Sequence, residues 1–593
     1  MAELALNSQQ SRAVESDSPA ILVSAGAGSG KTEVVAHRIE RLLHQSEEDS
    51  FQILAVSFTH NAAEELRDRF KRRLGDLHHR VETDTIHEFA FSLLRQHGTR
   101  IGLPTEPELL TRLEDRVELL DSWLRQSGQT LSGDPRTLFG QLDLARAQCV
   151  DTPQLEAWTE ALQSAGAIDY AAMLDRAYEL VQDPWMNRHL KRVYEHVVID
   201  EAQNLTAAQY RLLTEIIGGP TDDHLQAMLV GDQRQSIVGF AGADPKFMDQ
   251  FAQDYEAERI ELTINYRSAR AIIDVGKNVA FKLKQPTESI GGVEFPAEGI
   301  VESRAFDTED EEAEAVSSWI RALLADGLDK SILAPGESTL IQPEDISVLA
   351  RSSASLQSVR ERLTSIGIES ATASTEDDWV ASIPARVAVE LIAYRGAPTH
   401  KSTLRRLSEL TGATGLVWSE ISELIAPDMN AAVAAVLKLG ATAELPAFIS
   451  GLVEMNADDV DWLSDLAQLQ AAWRDFVDRT GSSGHTFGNF RQHIARLQRG
   501  DSLDPGVRLL TVHKSQGREF KAVVVIACNE GQFPDFRAKT SEAEAAELRT
   551  FYVATSRASR ALFLTRSRQR QTRSGPWTTK PSRFLEYVQV PAS

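Results

Sequence analysis

Short apolar, β-branched runs recur along the chain, each ending in small or polar residues. ILVSA (21–25), ILAVSF (53–58), HVVID (196–200) and AMLVGD (227–232) form a first series. Stretches with apolar residues three and four apart separate them, such as EVVAHRIERLL (33–43) and NAAEELRDRFKRRL (61–74). That alternation predicts a mostly parallel sheet with crossover helices. A second series repeats it: IELTI (260–264), ISVLAR (346–351), VRLLTV (507–512), AVVVIAC (522–528) and ALFLT (561–565). The expected fold class is therefore α/β, in two sheet-bearing units. The stretch 99–166 contains no such strand and reads as helical (ELLTRLEDRVELLDSWLRQ); 396–501 is also mainly helical. Each is expected to interrupt one unit. This leaves 1–98 with 167–259 for the first unit and 260–395 with 502–593 for the second.

Composition adds limits. A chain of 593 residues is too long for one hydrophobic core. The net charge of -24 means that any phosphate-binding surface must be a local basic patch. The two cysteines, Cys149 and Cys528, have no ligand-like spacing, so zinc and iron–sulfur sites are not expected. The N-terminus lacks a basic-then-apolar signal pattern. No apolar run approaches the roughly 20 residues that span a bilayer. A cytoplasmic location without membrane partners is expected.

The chemistry lies at predicted strand ends. ILVSAGAGSGKT sets a glycine-rich turn between a strand and a helix, and Ala25, Gly26, Ala27, Gly28, Ser29, Gly30, Lys31 and Thr32 fit the P-loop spacing. The glycines let backbone N–H groups face an anion, and the helix start adds its positive end. Lys31 can reach the β- and γ-phosphates of ATP, and the Thr32 hydroxyl can ligate Mg²⁺. HVVIDEAQN ends a strand in two carboxylates. Asp200 suits the Mg²⁺, and Glu201 is placed to activate a water for in-line attack. Gln235, in VGDQRQSIVGFAGA, can hydrogen-bond a γ-phosphate or the attacking water. Arg267 and Arg557 complete a clamp for charge on the transferred phosphoryl group.

These segments stand in an order that resembles the UvrD/Rep family of superfamily-one DNA helicases. The matching stretches are LNSQQSRAV, AGAGSGKT, SFTHNAAEELRDR, TDTIHEFA, VVIDEAQN, VGDQRQSIVGFAGA, LTINYRS, DISVLAR, VRLLTVHKSQGREF and ELRTFYVATSRA, spanning 6–558. The resemblance implies two RecA-like domains with ATP between them and the helical insertions as accessory domains. It implies that Gln10 reads the adenine edge, Tyr266 stacks on the adenine and Glu519 bonds the ribose. It implies single-stranded DNA at Phe58, Thr59, Thr85, His87, Phe240, Thr511 and His513, with Phe240 as a stacking platform. The implied activity is ATP-dependent 3′–5′ translocation and unwinding of 3′-tailed duplex DNA, in repair or recombination.

The chain departs from the family at several positions. Val238 stands where an aromatic is usual, Ala241 where an arginine is, and Glu33 where an arginine often follows the P-loop. The fifth motif reads Gln516, Gly517, Arg518, and the second insertion is short. Two alternatives follow: a DNA-stimulated ATPase and translocase with weak unwinding, and an ATP-switched subunit of a nuclease, repair or defence complex. The stretch 565–583 holds six basic residues and no acid. It reads either as a phosphate track or as a solvated edge.

Overall fold

The computed structural model describes residues 6–45, 51–105, 107–128, 133–219, 226–285, 290–291, 297–372, 382–412, 425, 429–455, 460–480, 484–499, 505–572 and 575–588. The first unit begins with β1 (Ala20–Ala25), β2 (Gln52–Ser57) and β3 (Val81–Thr85). A ribbon of β4 (Glu108–Leu110) and β5 (Ala167–Asp169) comes next, then β6 (Tyr194–Ile199), β7 (Gln226–Gly231) and β8 (Glu258–Leu262). The main sheet runs β3-β2-β6-β7-β1-β8, all parallel. Its apolar runs are continuous because both faces are covered. Ile21 and Val23 pack with Val34, Ile39 and Phe70 on one face, while Leu22 packs with Phe89, Leu213 and Phe251 on the other.

After a short pair, β9 (Ile264–Asn265) and β10 (Ile290–Gly291), the second unit supplies β11 (Ile300–Phe306), β12 (Ile346–Ala350) and β13 (Ser370–Thr372). β14 (Val507–Thr511), β15 (Phe520–Val525) and β16 (Ala558–Ser567) complete it. Their order is β11-β16-β15-β12-β14-β13, again all parallel. Val523 and Val525 face one apolar cluster, and Ala522 and Val524 the other.

Three expectations need correction. IELTI does not open the second unit: β8 pairs with β1 as an edge of the first sheet. The stretch 99–166 does contain a strand, β4, because ELL pairs with AID at 167–169 instead of continuing the helix Leu113–Ser127. The helix Ile383–Gly396 lies upstream of the expected insertion at 396. It nevertheless packs Ala385, Leu391 and Ile392 with Val436, Phe448 and Phe490 of the helical body. Parts of that body, 413–424 and 426–428, lie outside the described residues.

The two helical bodies have separate cores, one around Phe139 and Trp158, the other around Phe448 and Phe490. Polar contacts join them. Asp115 pairs with Arg405 and Arg406, and Glu108 accepts from Ser402 N at 2.8 Å at the start of the helix Lys401–Thr411.

Candidate functional site

Parallel strands put all their carboxyl ends on one edge, where open α/β sheets bind ligands. Three neighbouring strands, β6, β7 and β1, end in Asp200–Glu201, Asp232 and the P-loop respectively. The turn demands glycine at Gly28: its φ is +72°, and a Cβ there would collide with the Asn265 amide. Gly28 O accepts from Tyr266 N at 2.8 Å, and Asn265 Nδ2 donates to Ala27 O at 2.8 Å. Gln10 is buried, with Nε2 on Ser29 O at 3.1 Å and Oε1 accepting from Asn7 N at 3.0 Å. The Tyr266 hydroxyl accepts from Asn7 Nδ2 at 2.7 Å. Gln10 and Tyr266 thus both border the P-loop.

Lys31 Nζ donates to Ala25 O at 3.3 Å and lies 3.9 Å from Glu201. Thr32, Asp200 and Glu201 line one cavity of about 340 Å³ with Thr59, Glu65 and Gln516–Arg518. Burial, reinforced by Glu201, pushes the Asp200 carboxyl up to about 7. A buried carboxylate so disfavoured, beside a threonine hydroxyl, is the hard-oxygen donor set that suits Mg²⁺. Glu201 has a left-handed backbone (φ 54°), and its N–H donates to Asp200 Oδ1 at 2.8 Å.

Gln203 was not singled out in the sequence, yet it ties the motifs together. Its Nε2 donates to Glu201 Oε2 at 2.5 Å, and its Oε1 accepts from Asp232 N at 3.0 Å. A Cβ on Gly231 would sit 2.5 Å from that Oε1. Gln235 Nε2 donates to Asp232 Oδ2 at 2.9 Å, and Arg557 Nη2 donates to Gln235 Oε1 at 2.9 Å from the second unit. Burial and the nearby Arg267 lower the Arg557 guanidinium to about 10. Two cations crowded in a buried cleft favour an anion between them. Arg267 Nη1 meets Glu519 Oε2 at 2.7 Å, so the expected phosphate and ribose residues contact each other here.

The expected DNA residues follow strand ends of both sheets. Phe58 and Thr59 follow β2, and Thr59 caps the helix His60–Leu74 while lining the cavity beside Asp200 and Glu201. Thr85 is buried and caps the helix Ile86–His97. His87 stacks on Tyr170, a half-exposed ring the sequence reading missed, with centroids 4.1 Å apart. Thr511 ends β14. Phe240 is 73% exposed and so is not a core aromatic; its edge meets His513. Burial and Arg351 lower the His513 pKa, which favours the neutral ring.

Two departures acquire reasons. Glu33 pairs with Arg69 at 2.6 Å and Arg73 at 3.1 Å on the neighbouring helix, and with His37 at 3.0 Å on its own. Val238 packs against the apolar cluster of the second unit. Within 565–583, Arg568 pairs with Asp307, Arg570 with Glu309 and Glu312, and Arg583 with Glu530 and Glu544. Those charges are not free for a phosphate track. Arg573 lies outside the described residues.

Residues 6–256 match the UvrD/REP helicase N-terminal domain, and 432–569 match the UvrD-like helicase C-terminal domain. The chain belongs to the UvrD-like helicase family. The ATP-dependent DNA helicase PcrA of Staphylococcus aureus (strain MRSA252) is 25% identical over 639 residues, covering 98% of this chain and 86% of the relative. The ATP-dependent DNA helicase UvrD1 of Mycobacterium tuberculosis (strain ATCC 25618 / H37Rv) is 26% identical over 671 residues, covering 98% and 85%. The two parallel sheets of this UvrD-like helicase chain agree with the two-RecA-domain fold of the family. Among the described residues no helix is long and apolar enough to cross a membrane.

Proposed function

We propose that the protein hydrolyses ATP to move 3′–5′ along single-stranded DNA and to unwind 3′-tailed duplex, in repair or recombination. The observation that carries this reading is the segment Asp232–Phe240. Its first part holds Gln235 against Arg557 of the second unit, and its last residue presents an exposed ring at His513. A phosphate-dependent change at one end thereby has a short route to a base-stacking surface at the other.

In this reading Lys31, Arg267 and Arg557 bind the phosphates and stabilise transferred charge. Thr32 and Asp200 would hold Mg²⁺, which neutralises phosphate charge. Glu201 takes the proton of the attacking water. Gln10, Tyr266 and Glu519 border the nucleoside. The strand lies over Phe58, Thr59, Thr85, His87, Phe240, Thr511 and His513.

The first test is ATP hydrolysis with and without single-stranded DNA, with Lys31→Ala as the blank. Strong stimulation supports the reading; DNA-independent or absent hydrolysis refutes it. Comparing 3′- with 5′-tailed duplexes then tests polarity. Val238 favours a second reading, translocation with weak strand separation, because an apolar residue packed into the second unit replaces a stacking face. Displacement of a bound protein block from single-stranded DNA without duplex unwinding would select it.

A further inference from the structure

Gln235 is bracketed by groups of opposite hydrogen-bonding character. Its Nε2 lies 2.9 Å from Asp232 Oδ2, and its Oε1 lies 2.9 Å from Arg557 Nη2. An ionised carboxylate only accepts, and a guanidinium only donates. One amide orientation alone satisfies both neighbours, and it turns the oxygen, not the NH₂, toward the cleft.

An ionised Asp232 enforces that orientation from one side and Arg557 from the other. A protonated carboxyl can donate instead, which removes the first constraint and leaves the amide held by Arg557 alone. Asp232 is buried at 2% exposure, where ionisation is disfavoured. Arg234 offsets this: its Nε donates to Asp232 Oδ1 at 2.6 Å and its backbone N to the same oxygen at 3.2 Å. Arg234 is itself buried, and its Nη2 lies 3.7 Å from where a Cβ on Gly26 would sit, so the guanidinium is wedged against the P-loop. Lys31 and Tyr552 are the other titratable groups facing Asp232. Burial pushes the Asp232 carboxyl up, but the Arg234 charge, with Lys31 behind it, outweighs burial and holds it below the usual carboxylate range.

We propose that Arg234 is a positioning residue for ATP hydrolysis: through Asp232 it locks the Gln235 amide with its oxygen facing the cleft, where that oxygen accepts from the attacking water instead of donating to the γ-phosphate. The proposal rests on the ATPase reading above. A carbonyl oxygen has two lone pairs, so Gln235 can hold Arg557 and the water together. The water oxygen bonds the γ-phosphorus. The bond from that phosphorus to the β,γ-bridging oxygen breaks, with its electron pair leaving on ADP, and the water's proton passes to Glu201.

The test is steady-state ATP hydrolysis on single-stranded DNA from about pH 5.5 to about pH 9, for wild type, Arg234→Met, Arg234→Lys and Asp232→Asn. Arg234→Met is expected to lower kcat about tenfold, with KM for ATP within about threefold. It should also add an acid limb: without its cation Asp232 protonates at higher pH, so turnover falls as pH drops. Arg234→Lys should restore the wild-type pH profile, since an ammonium also favours the carboxylate. Asp232→Asn should give low kcat without the new limb, because its amide accommodates either orientation of Gln235.

Unchanged kcat in Arg234→Met, or lowered kcat with an unchanged pH profile, overturns the proposal; the latter reduces Arg234 to packing. Full kcat in Asp232→Asn also overturns it, and that isosteric variant carries the test if Arg234→Met does not fold. Wild-type protein that hydrolyses no ATP on DNA refutes the ATPase reading instead, so the two failures are distinct.

Discussion

Phe240 and His513 meet edge to face, with ring centroids 5.4 Å apart and planes at 74°, one ring from each sheet-bearing unit. Between Gln235 and Phe240 the chain dips into the second unit. Ile237 is buried in the same apolar cluster as Leu510, Val512 and Phe551, and Arg549 Nε donates to Ser236 O at 3.0 Å. The ring is thus exposed on a segment anchored in both units. Phe240→Ala should weaken single-stranded DNA binding by about 1–2 kcal/mol, the loss of one stacked base. Phe240→Trp should restore most of it. Fluorescence anisotropy with an oligothymidylate measures both, and equal affinity in the alanine variant would place the strand elsewhere.

Glu201 lines the cavity shared with Thr32 and Asp200, lies 3.9 Å from Lys31, and is held by Gln203. Glu201→Gln keeps the shape and removes the base. Turnover should fall by about 10²–10⁴-fold, the usual range for losing a general base. ATP should still bind, because the P-loop and Lys31 are untouched. Equilibrium binding of a fluorescent ATP analogue, alongside single-turnover hydrolysis, separates the two effects. Weak binding in this variant would contradict the assignment of Glu201 as the base.

Gly231 is a packing constraint of the same site. A Cβ there would meet Gln203 Oε1 at 2.5 Å and the backbone N atoms of Gln203 and Ala202 at 3.1 and 3.2 Å. The backbone cannot yield as a flexible side-chain tip would. Gly231→Ala should cost about 1–3 kcal/mol, as overpacking does, and should displace Gln203 from Glu201. Chemical denaturation measures the first effect, and ATP turnover in native buffer the second. Wild-type values in both would mean that the strand end shifts freely.

Most of the strands legible in the sequence are covered on both faces. Ile21 and Val23 face one layer and Leu22 the other, so the whole run is apolar. Val81–Thr85 and Ile300–Phe306 escape notice because they lie at sheet edges, where acids and half-exposed positions interrupt the pattern. IELTI is recognisable as a strand, but its partner β1 is a long-range contact that no local pattern encodes. The P-loop and Asp200–Glu201 are legible because phosphate and Mg²⁺ demand particular residue types at a strand end. Gln203 and Asn265 are not, because a buried bridging amide reads in sequence like any polar turn residue. Glu33 is visible as a departure, but its reason appears only with the neighbouring helix in place.

That reason can be tested through charge reversal. Glu33 faces Arg69 and Arg73, so Glu33→Arg would set three guanidiniums together. The pairs are partly solvated, which limits each to well under a buried pair, and a total loss of about 1 kcal/mol is expected. The loss should shrink in high salt, because screening weakens repulsion between accessible charges. Denaturation of both proteins at low and high salt reads this difference. A deficit independent of salt would point to lost packing instead of charge.

His60 bridges two helices whose starts carry predicted DNA residues. It lies 3.4 Å from Glu64 on its own helix and 3.2 Å from Glu88, which caps the next helix at Thr85. Bonding to Glu64 and then Glu88 outweighs burial and raises the His60 pKa from 6.5 to about 9. A group whose pKa is higher folded than unfolded binds its proton more tightly in the native state. The stabilisation is therefore complete below about pH 6.5 and is lost as pH rises through about 9. His60→Ala should be less stable than wild type near neutral or mildly acidic pH, and the gap should close toward alkaline pH. Thermal unfolding of both proteins across that range gives the comparison. A gap that stays constant with pH would show that His60 contributes packing, not charge.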